Sequence, residues 1–402
     1  MPSGAILSRP GTIAIGLLCA AACAVPASAQ RRLDLGITGT VLDDSNVARS
    51  SSEAQARARG LVREDVRFTP AATLDMLVPV GRHAVFATAL AGYDFHARNS
   101  RLDRERLEAR SGVNLRFAQC RADLFGILAR RQSELDDITL GPVNNRETIR
   151  SINFEGRCER PAGINPRISV QYQEGRNSQA QRRTSNLDRF ELEGGLGYTT
   201  LSLGTVSLFG RYLDARFPER SFVFGGLDRR DGFQSTTIGL SYDRQIGTAL
   251  RGTVSAGYTD VEPRRPDLPR FDGLTYRAEL RANPLGRLQA TVEAARLVDA
   301  SNRIDVSYFV EDRLRGELDY LFSPAARGEA GVILRRREFE GANRLGLGIN
   351  EEETTSVFAS LILEATPRLS FRVDAEYEER EADNPLFNYH STQLGVTTAF
   401  RF

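Results

Sequence analysis

The sequence predicts an all-β protein: a single transmembrane antiparallel β-barrel of about eighteen strands, following a cleaved signal peptide. Three observations carry this reading. A secretory leader opens the chain. Segments of about ten residues alternate apolar and polar side chains between turn residues. The chain then ends on an alternating strand closed by an aromatic, Leu394-Gly395-Val396-Thr397-Thr398-Ala399-Phe400-Arg401-Phe402.

In the leader, Arg9 supplies positive charge, residues 13–25 form an apolar core, and Ala27-Ser28-Ala29 is a small-residue cleavage site before Gln30. Residues 1–29 are therefore assigned to the signal peptide and residues 30–402 to the barrel. The apolar core is short for a membrane-spanning helix. Ala20-Ala21-Ala22-Cys23 resembles a lipidation box but lacks the Leu at its start. Beyond Gln30 no run of about 18 apolar residues occurs, so helical spans are not expected. The first strand, residues 33–42, begins almost at once, which leaves no room for an N-terminal plug.

The second half shows the strand pattern most clearly. Leu274, Tyr276, Ala278 and Leu280 alternate with Thr275, Arg277, Glu279 and Arg281, then Asn283-Pro284-Leu285-Gly286 turns the chain, and Leu288, Ala290 and Val292 resume. Period-2 alternation marks strands with one apolar face, and Pro at a turn marks a strand end because it cannot donate to a ladder. Short turns fall near Gly81, Gln119, Gly163, Ser202, Gly247, Leu285, Ala325 and Pro367. Longer polar loops fall around residues 43–62, 97–106, 133–147, 175–187, 216–232, 261–272, 299–304, 340–350 and 381–388. Short turns at one end and long loops at the other are the asymmetry of outer-membrane barrels.

With the hydrophobic fraction at 41%, composition does not separate a soluble β protein from a barrel; the periodicity does. The formal net charge is +1, which argues against a nucleic-acid partner. All 53 basic residues are Arg. These cations stay charged and bind carboxylates in a planar fork. Of the four cysteines, Cys19 and Cys23 lie in the leader. Cys120 opens the fifth strand and Cys158 closes the sixth, symmetrically about the loop between them. They are expected to face each other and form a disulfide in a compartment that permits one.

Charged residues fall on the face that alternation assigns to the lumen: Arg110 and Arg116 on the fourth strand, Glu155 and Arg157 on the sixth, and Arg277, Glu279 and Arg281 on the twelfth. Arg313, Arg315, Glu317 and Asp319 follow on the fourteenth, Arg335 and Arg337 on the fifteenth, and Arg372, Asp374, Glu376 and Glu378 on the seventeenth. Rings of Arg pass anions. The alternative is a wall of mutually neutralising ion pairs, since carboxylates nearly match arginines.

Enzyme chemistry has little to build on. The histidines are His83, His96 and His390. His390 and Ser391 are neighbours on one strand and so point to opposite faces, and Asp94 with His96 is a single acid–base pair. No GxGxxG, CxxC or HExxH motif occurs, so no cofactor or metal is expected.

The opening strand Leu35-Gly36-Ile37-Thr38-Gly39-Thr40, the following Asp43-Asp44-Ser45-Asn46-Val47, then Glu64-Asp65-Val66 and the Thr69-Pro70 step resemble the outer-membrane β-barrel porin family associated with exopolysaccharide loci. The resemblance implies an outer-membrane barrel with a role in polysaccharide export or surface assembly. The strand pattern is also similar in architecture to alginate-export barrels.

The expected function is thus a passive channel in the Gram-negative outer membrane, serving polysaccharide export or anionic and sugar-like solutes. The alternatives are a non-conducting anchoring barrel that binds surface polymer and, more remotely, a barrel enzyme. Expected partners are outer-membrane lipid and the barrel-assembly machinery, which would read the terminal strand through Phe400 and Phe402. Polysaccharide or an export complex is a further expected partner.

Overall fold

The computed structural model describes residues 31–402 apart from 134, 136–143, 225, 304–305 and 342–347; the leader and its cleavage site lie outside the described residues. Eighteen strands follow one another. They are β1 (Arg32–Asp44), β2 (Asp65–Val80), β3 (His83–His96), β4 (Arg104–Phe117), β5 (Cys120–Gln132) and β6 (Arg146–Cys158). Next come β7 (Gly163–Asn177), β8 (Leu187–Thr200), β9 (Gly204–Phe224), β10 (Leu227–Ile246), β11 (Leu250–Pro263) and β12 (Phe271–Ala282). The last are β13 (Leu288–Ala300), β14 (Val306–Ser323), β15 (Ala326–Gly341), β16 (Glu351–Glu364), β17 (Leu369–Ala382) and β18 (Tyr389–Arg401). Each is antiparallel to its neighbours in sequence, and β1 pairs with β18, so the sheet closes. Closure gives every strand a partner on both sides, as a spanning structure in lipid requires.

The register fixes what each face carries. At the closing seam Ile37 lies opposite Phe400 and Val41 opposite Val396. The same row holds Leu33 and Leu35 on β1 and Leu394 on β18, all exposed. Following the pairs around the wall, this outward row takes in Leu196, Leu208, Leu240, Val254, Leu280, Leu318, Val332 and Val373, again exposed. Each strand crosses the belt over about nine consecutive residues, of which every second one belongs to this row. At ~3.3 Å per residue and a tilt of ~40° they form a belt ~23 Å tall, matched to a bilayer's hydrocarbon.

Tyrosines mark the belt's border toward the long loops. Tyr172 donates to Glu174 (3.0 Å), Tyr258 to Asp272 (2.8 Å) and Tyr377 to Glu379 (3.2 Å). In each, an amphipathic ring stays with the apolar row while its hydroxyl reaches the first carboxylate above it. Toward the short turns the belt ends in aromatic pairs, Tyr320–Phe322 (ring centroids 4.8 Å apart) and Phe400–Phe402 (5.3 Å). Gly81, with φ +60°, makes the turn between β2 and β3 in the left-handed region glycine favours.

The expected loop at residues 216–232 is instead mostly strand. β9 runs to Phe224 and β10 starts at Leu227, with a bulge between Arg230 and Asp231. Here Pro218, the adjacent Phe222 and Val223, and runs of charge such as Glu219-Arg220 break the alternation that reveals strands within the belt. The first strand likewise runs from Arg32 to Asp44, beyond the expected 33–42. The expected loops at 133–147, 299–304 and 340–350 lie partly outside the described residues.

The remaining long connections hold apolar cores of their own. Ala48, Ala56, Leu61, Leu102 and Leu135 join the first three. Here a short helix, α1 (Glu53–Ala58), starts at Ser52, whose hydroxyl accepts from the Gln55 amide. Val306, Phe309, Phe339, Ile349 and Phe387 join the last three.

Candidate functional site

The inner face is built from the residues that alternate with the belt. Across β12–β17 it carries a continuous chain of opposite charges. Arg380 on β17 pairs with Glu352 on β16. Glu352 meets Arg337 on β15 at 3.3 Å, and Arg337 meets Glu311 on β14 at 2.8 Å. Glu311 lies 3.9 Å from Arg313, Arg313 meets Glu293 on β13 at 2.9 Å, and Glu293 meets Arg277 on β12 at 3.3 Å. The register explains the order. Arg380, Thr354, Arg335, Arg313, Ala295 and Arg277 are successive cross-strand partners, so four arginines share one rung. The rung beside it carries Glu378 and Glu293.

Arg335 differs from its rung. Its side chain makes no hydrogen bond or ion pair among the described residues, and its Nε is buried without a partner. Arg313 stands directly opposite it. Two adjacent cations with one left unneutralised form a local positive site in a wall of mostly paired charges.

Several of the other expected lumen residues fall into pairs, whereas Asp319 and Glu155 have no ion-pair partner among the described residues. Arg281 meets Glu279 at 2.7 Å, and Arg315 pairs with Glu317. Arg372 meets Asp374 at 2.6 Å and Glu329 at 3.4 Å, and donates to the Ser360 hydroxyl at 2.9 Å. Glu376 stands in the row between Phe358 and Gln393. Arg110 lies over the rings of Phe125 (4.1 Å) and Phe86 (5.4 Å), a cation–π site facing the charged wall. Gly112 makes room for it, since a Cβ there would come within 2.6 Å of the Phe125 Cβ. Arg116 sits exposed near the short turns. Cys120 and Cys158 are cross-strand partners with sulfurs 2.03 Å apart, on the outward row.

The residues weighed for enzyme chemistry are held by other partners. Ser391 is buried; its hydroxyl donates to Asp44 (2.7 Å) and accepts from Arg49 (3.1 Å), while His390 is exposed on the opposite face. Asp94 accepts from Thr69, and His96 Nδ1 lies 3.2 Å from Asp103. Around Ser391, Arg49 reaches both Asp44 oxygens (3.1 and 3.0 Å), and Tyr389 donates to Glu378 (2.8 Å). This network ties the first long connection to the closing strand. Burial opposes the charge on Arg49, but Asp44, Tyr389 and Glu378 outweigh it and raise its pKa further.

The outer part of the β13–β14 hairpin, invisible to sequence periodicity, leaves the wall and leans across the lumen. Arg189 on β8 donates to Asp299 on β13 at 2.6 Å, with four strands between them. Arg220 at the top of β9 donates to the carbonyls of Val306 (2.9 Å), Ser301 (3.2 Å) and Thr184 (2.9 Å). It also lies 3.6 Å from Asp231, which accepts from Ser307 at 2.6 Å. Tyr308 packs on Phe233 (5.5 Å) in a buried cluster with Leu213, Ala215 and Val261. The hairpin therefore narrows the lumen on the β8–β10 side.

Residues 223–402, which span the end of β9 and all of β10–β18, match the family described as "Putative beta-barrel porin 2". Among solved structures the chain is similar to Pseudomonas aeruginosa OccK2 (OpdF) in complex with glucuronate, at 11% identity and TM-score 0.49 over 92% of this chain and 98% of that one. It is also similar to the BenF-like porin of Pseudomonas fluorescens Pf-5, at 11% identity and TM-score 0.49 over 92% and 99% of the two chains. Pseudomonas aeruginosa OpdK with vanillate gives 11% identity and TM-score 0.48 over 92% and 99%. Among curated proteins none matches the chain.

Proposed function

We propose that this chain, an eighteen-stranded barrel whose residues 223–402 match a β-barrel porin family, is an outer-membrane channel for small anionic, sugar-like solutes. The single observation that carries the solute class is Arg335, a cation with no partner in a rung shared with Arg277, Arg313 and Arg380. An anion entering the lumen meets this site without first breaking an ion pair. A cation meets carboxylates of which most are already held by arginines. The paired remainder of the wall supplies donors and acceptors in rows, which suits hydroxyl-rich solutes that exchange water for side-chain hydrogen bonds. Weak, repeated contacts of this kind let a solute enter and leave.

The belt and its tyrosine border support placement in a bilayer with the long connections facing outward and the short turns facing the periplasm. The resemblance to barrels of exopolysaccharide loci extends the solute class to segments of charged polysaccharide.

Liposome swelling tests the reading. Vesicles carrying the folded protein should admit a sugar monocarboxylate faster than a cationic amino sugar of equal size. Arg335→Gln should reduce that preference. Equal rates for both solutes would remove the anionic assignment; no swelling with any solute would remove the channel.

A further inference from the structure

The β12–β13 ladder is the shortest in the wall. It runs only from Ala282↔Ala290 to Tyr276↔Arg296. Yet β12 continues to Phe271, paired with β11 up to Val261↔Phe271, and β13 continues to Ala300, paired with β14 up to Ala300↔Tyr308. Residues 271–275 on one edge and 297–300 on the other thus face a gap where the ladder supplies no partner. The Ala300 amide is satisfied by its neighbour's side chain, Asp299, at 2.8 Å.

We infer that the outer part of the β13–β14 hairpin has a second position, upright in the wall, in which it completes this ladder. Continuing the existing register places Thr275 opposite Leu297, Leu274 opposite Val298, Gly273 opposite Asp299 and Asp272 opposite Ala300. The pleat agrees with that pairing. Leu274 and Val298 would both face outward and extend the apolar row, whereas Thr275 and Leu297 would both face the lumen. In the docked position the hairpin forgoes these rungs. It gains instead the Arg189–Asp299 pair, the Arg220 donations to Ser301 and Val306, and the Tyr308 contact with Phe233. Backbone pairing on one side is exchanged for a charged latch and a buried ring on the other. Such an element has two discrete arrangements rather than a continuum. Upright, it would clear the lumen along β8–β10; docked, it narrows it.

Cross-linking decides the matter. In the folded protein, Leu274→Cys with Val298→Cys should form a disulfide under mild oxidation, because directly opposed strand residues lie within disulfide reach. Ala278→Cys with Ala294→Cys, partners in the existing ladder, is the positive control. Arg189→Gln, which weakens the latch, should raise the rate of the first cross-link roughly tenfold and leave the control unchanged. Once cross-linked, single-channel conductance should rise roughly twofold and return on reduction. A control pair that cross-links while the Leu274/Val298 pair does not would overturn the second position. A cross-link that leaves the conductance of a conducting protein unchanged would overturn its effect on the lumen. If the double variant fails to fold, hydrogen exchange in Arg189→Gln carries the test. Amides of residues 271–275 must exchange more slowly than in the wild type, and unchanged or faster exchange contradicts the inference. The conductance readout rests on the channel proposed above; the cross-link and exchange readouts do not, so the two can fail separately.

Discussion

Arg189 on β8 donates to a carboxylate oxygen of Asp299 on β13 at 2.6 Å, although β9, β10, β11 and β12 stand between them in the wall. No pair of side chains could span that arc of an open eighteen-stranded barrel. The contact exists because the β13–β14 hairpin bends inward. Asp299→Ala should therefore release the outer end of β13 and increase ion flux. The check is single-channel conductance against wild type, where a decrease would show that this segment does not narrow the path.

The arginine rung sets the second expectation. Arg335→Glu should lower the anion-to-cation permeability ratio severalfold, because it replaces an unneutralised cation on the lumen face with an anion. Arg336→Gln, on the neighbouring outward row where Arg336 meets Glu351 at 2.7 Å, should leave the ratio unchanged. Reversal potentials in a salt gradient measure both. Equal effects from the two variants would contradict the assignment of faces.

The same alternation predicts stability. Val396 lies on the outward row and Thr397 on the inward one. Val396→Arg should cost about 2–4 kcal/mol, the depth-dependent penalty for a guanidinium facing hydrocarbon, while Thr397→Arg should cost well under half of that. Unfolding by denaturant from lipid bilayers gives both numbers. Similar costs would mean that the apolar row does not meet lipid.

How far the sequence revealed this molecule depended on which surroundings a strand meets. In the belt one face meets lipid and the other water, so Leu274, Tyr276, Ala278 and Leu280 announce β12, and the turn near Leu285 announces its end. Cys120 and Cys158 could be paired because a regular hairpin fixes their register. Above the belt neither face meets lipid, apolar and charged residues mix without a period of two, and the strand character of residues 216–232 disappears from the pattern. The apolar outer cores were hidden for another reason. Ala48, Leu61, Leu102 and Leu135 are isolated in three connections, and only tertiary folding brings them together. The inner face was legible as a list of charges but not as a network. That Arg335 lacks a partner while Arg313 and Arg337 have theirs depends on side-chain reach across strands.

Cys120 and Cys158 are separated by 38 residues and bridge β5 to β6 at the short-turn end. Replacing both with Ser should cost about 2–4 kcal/mol on the entropy model of loop closure, lowered to the extent that the unfolded hairpin retains structure. Intact mass before and after alkylation of the native protein should show no reactive thiol until a reductant is added. Two free thiols in protein taken from its own membrane would contradict the bridge.

Asp214, above the belt on β9, supplies a pH-dependent expectation. Burial raises its pKa, but hydrogen bonds from Arg216 and from Arg264 (2.8 Å) outweigh this and hold it below the usual carboxylate value. A depressed folded-state pKa stabilises the fold above the unfolded value of ~3.9, and that contribution is lost as pH falls through the lower folded value. Hydrogen-exchange protection in the β11–β12 connection, which carries Arg264, taken relative to the free-amide rate at each pH, should therefore stay flat from neutrality to about pH 4 and fall below it. Asp214→Asn should show the acid-state protection already at neutral pH. A loss of protection beginning near neutrality would assign the effect to another group.

An open, anion-preferring path through the barrel should show itself in a planar-bilayer recording of the folded wild-type protein across a potassium chloride gradient. Discrete conductance steps are expected, with a reversal potential that has the sign of chloride over potassium. Folded, inserted protein that carries no current, or current that reverses with the sign of potassium, would contradict it.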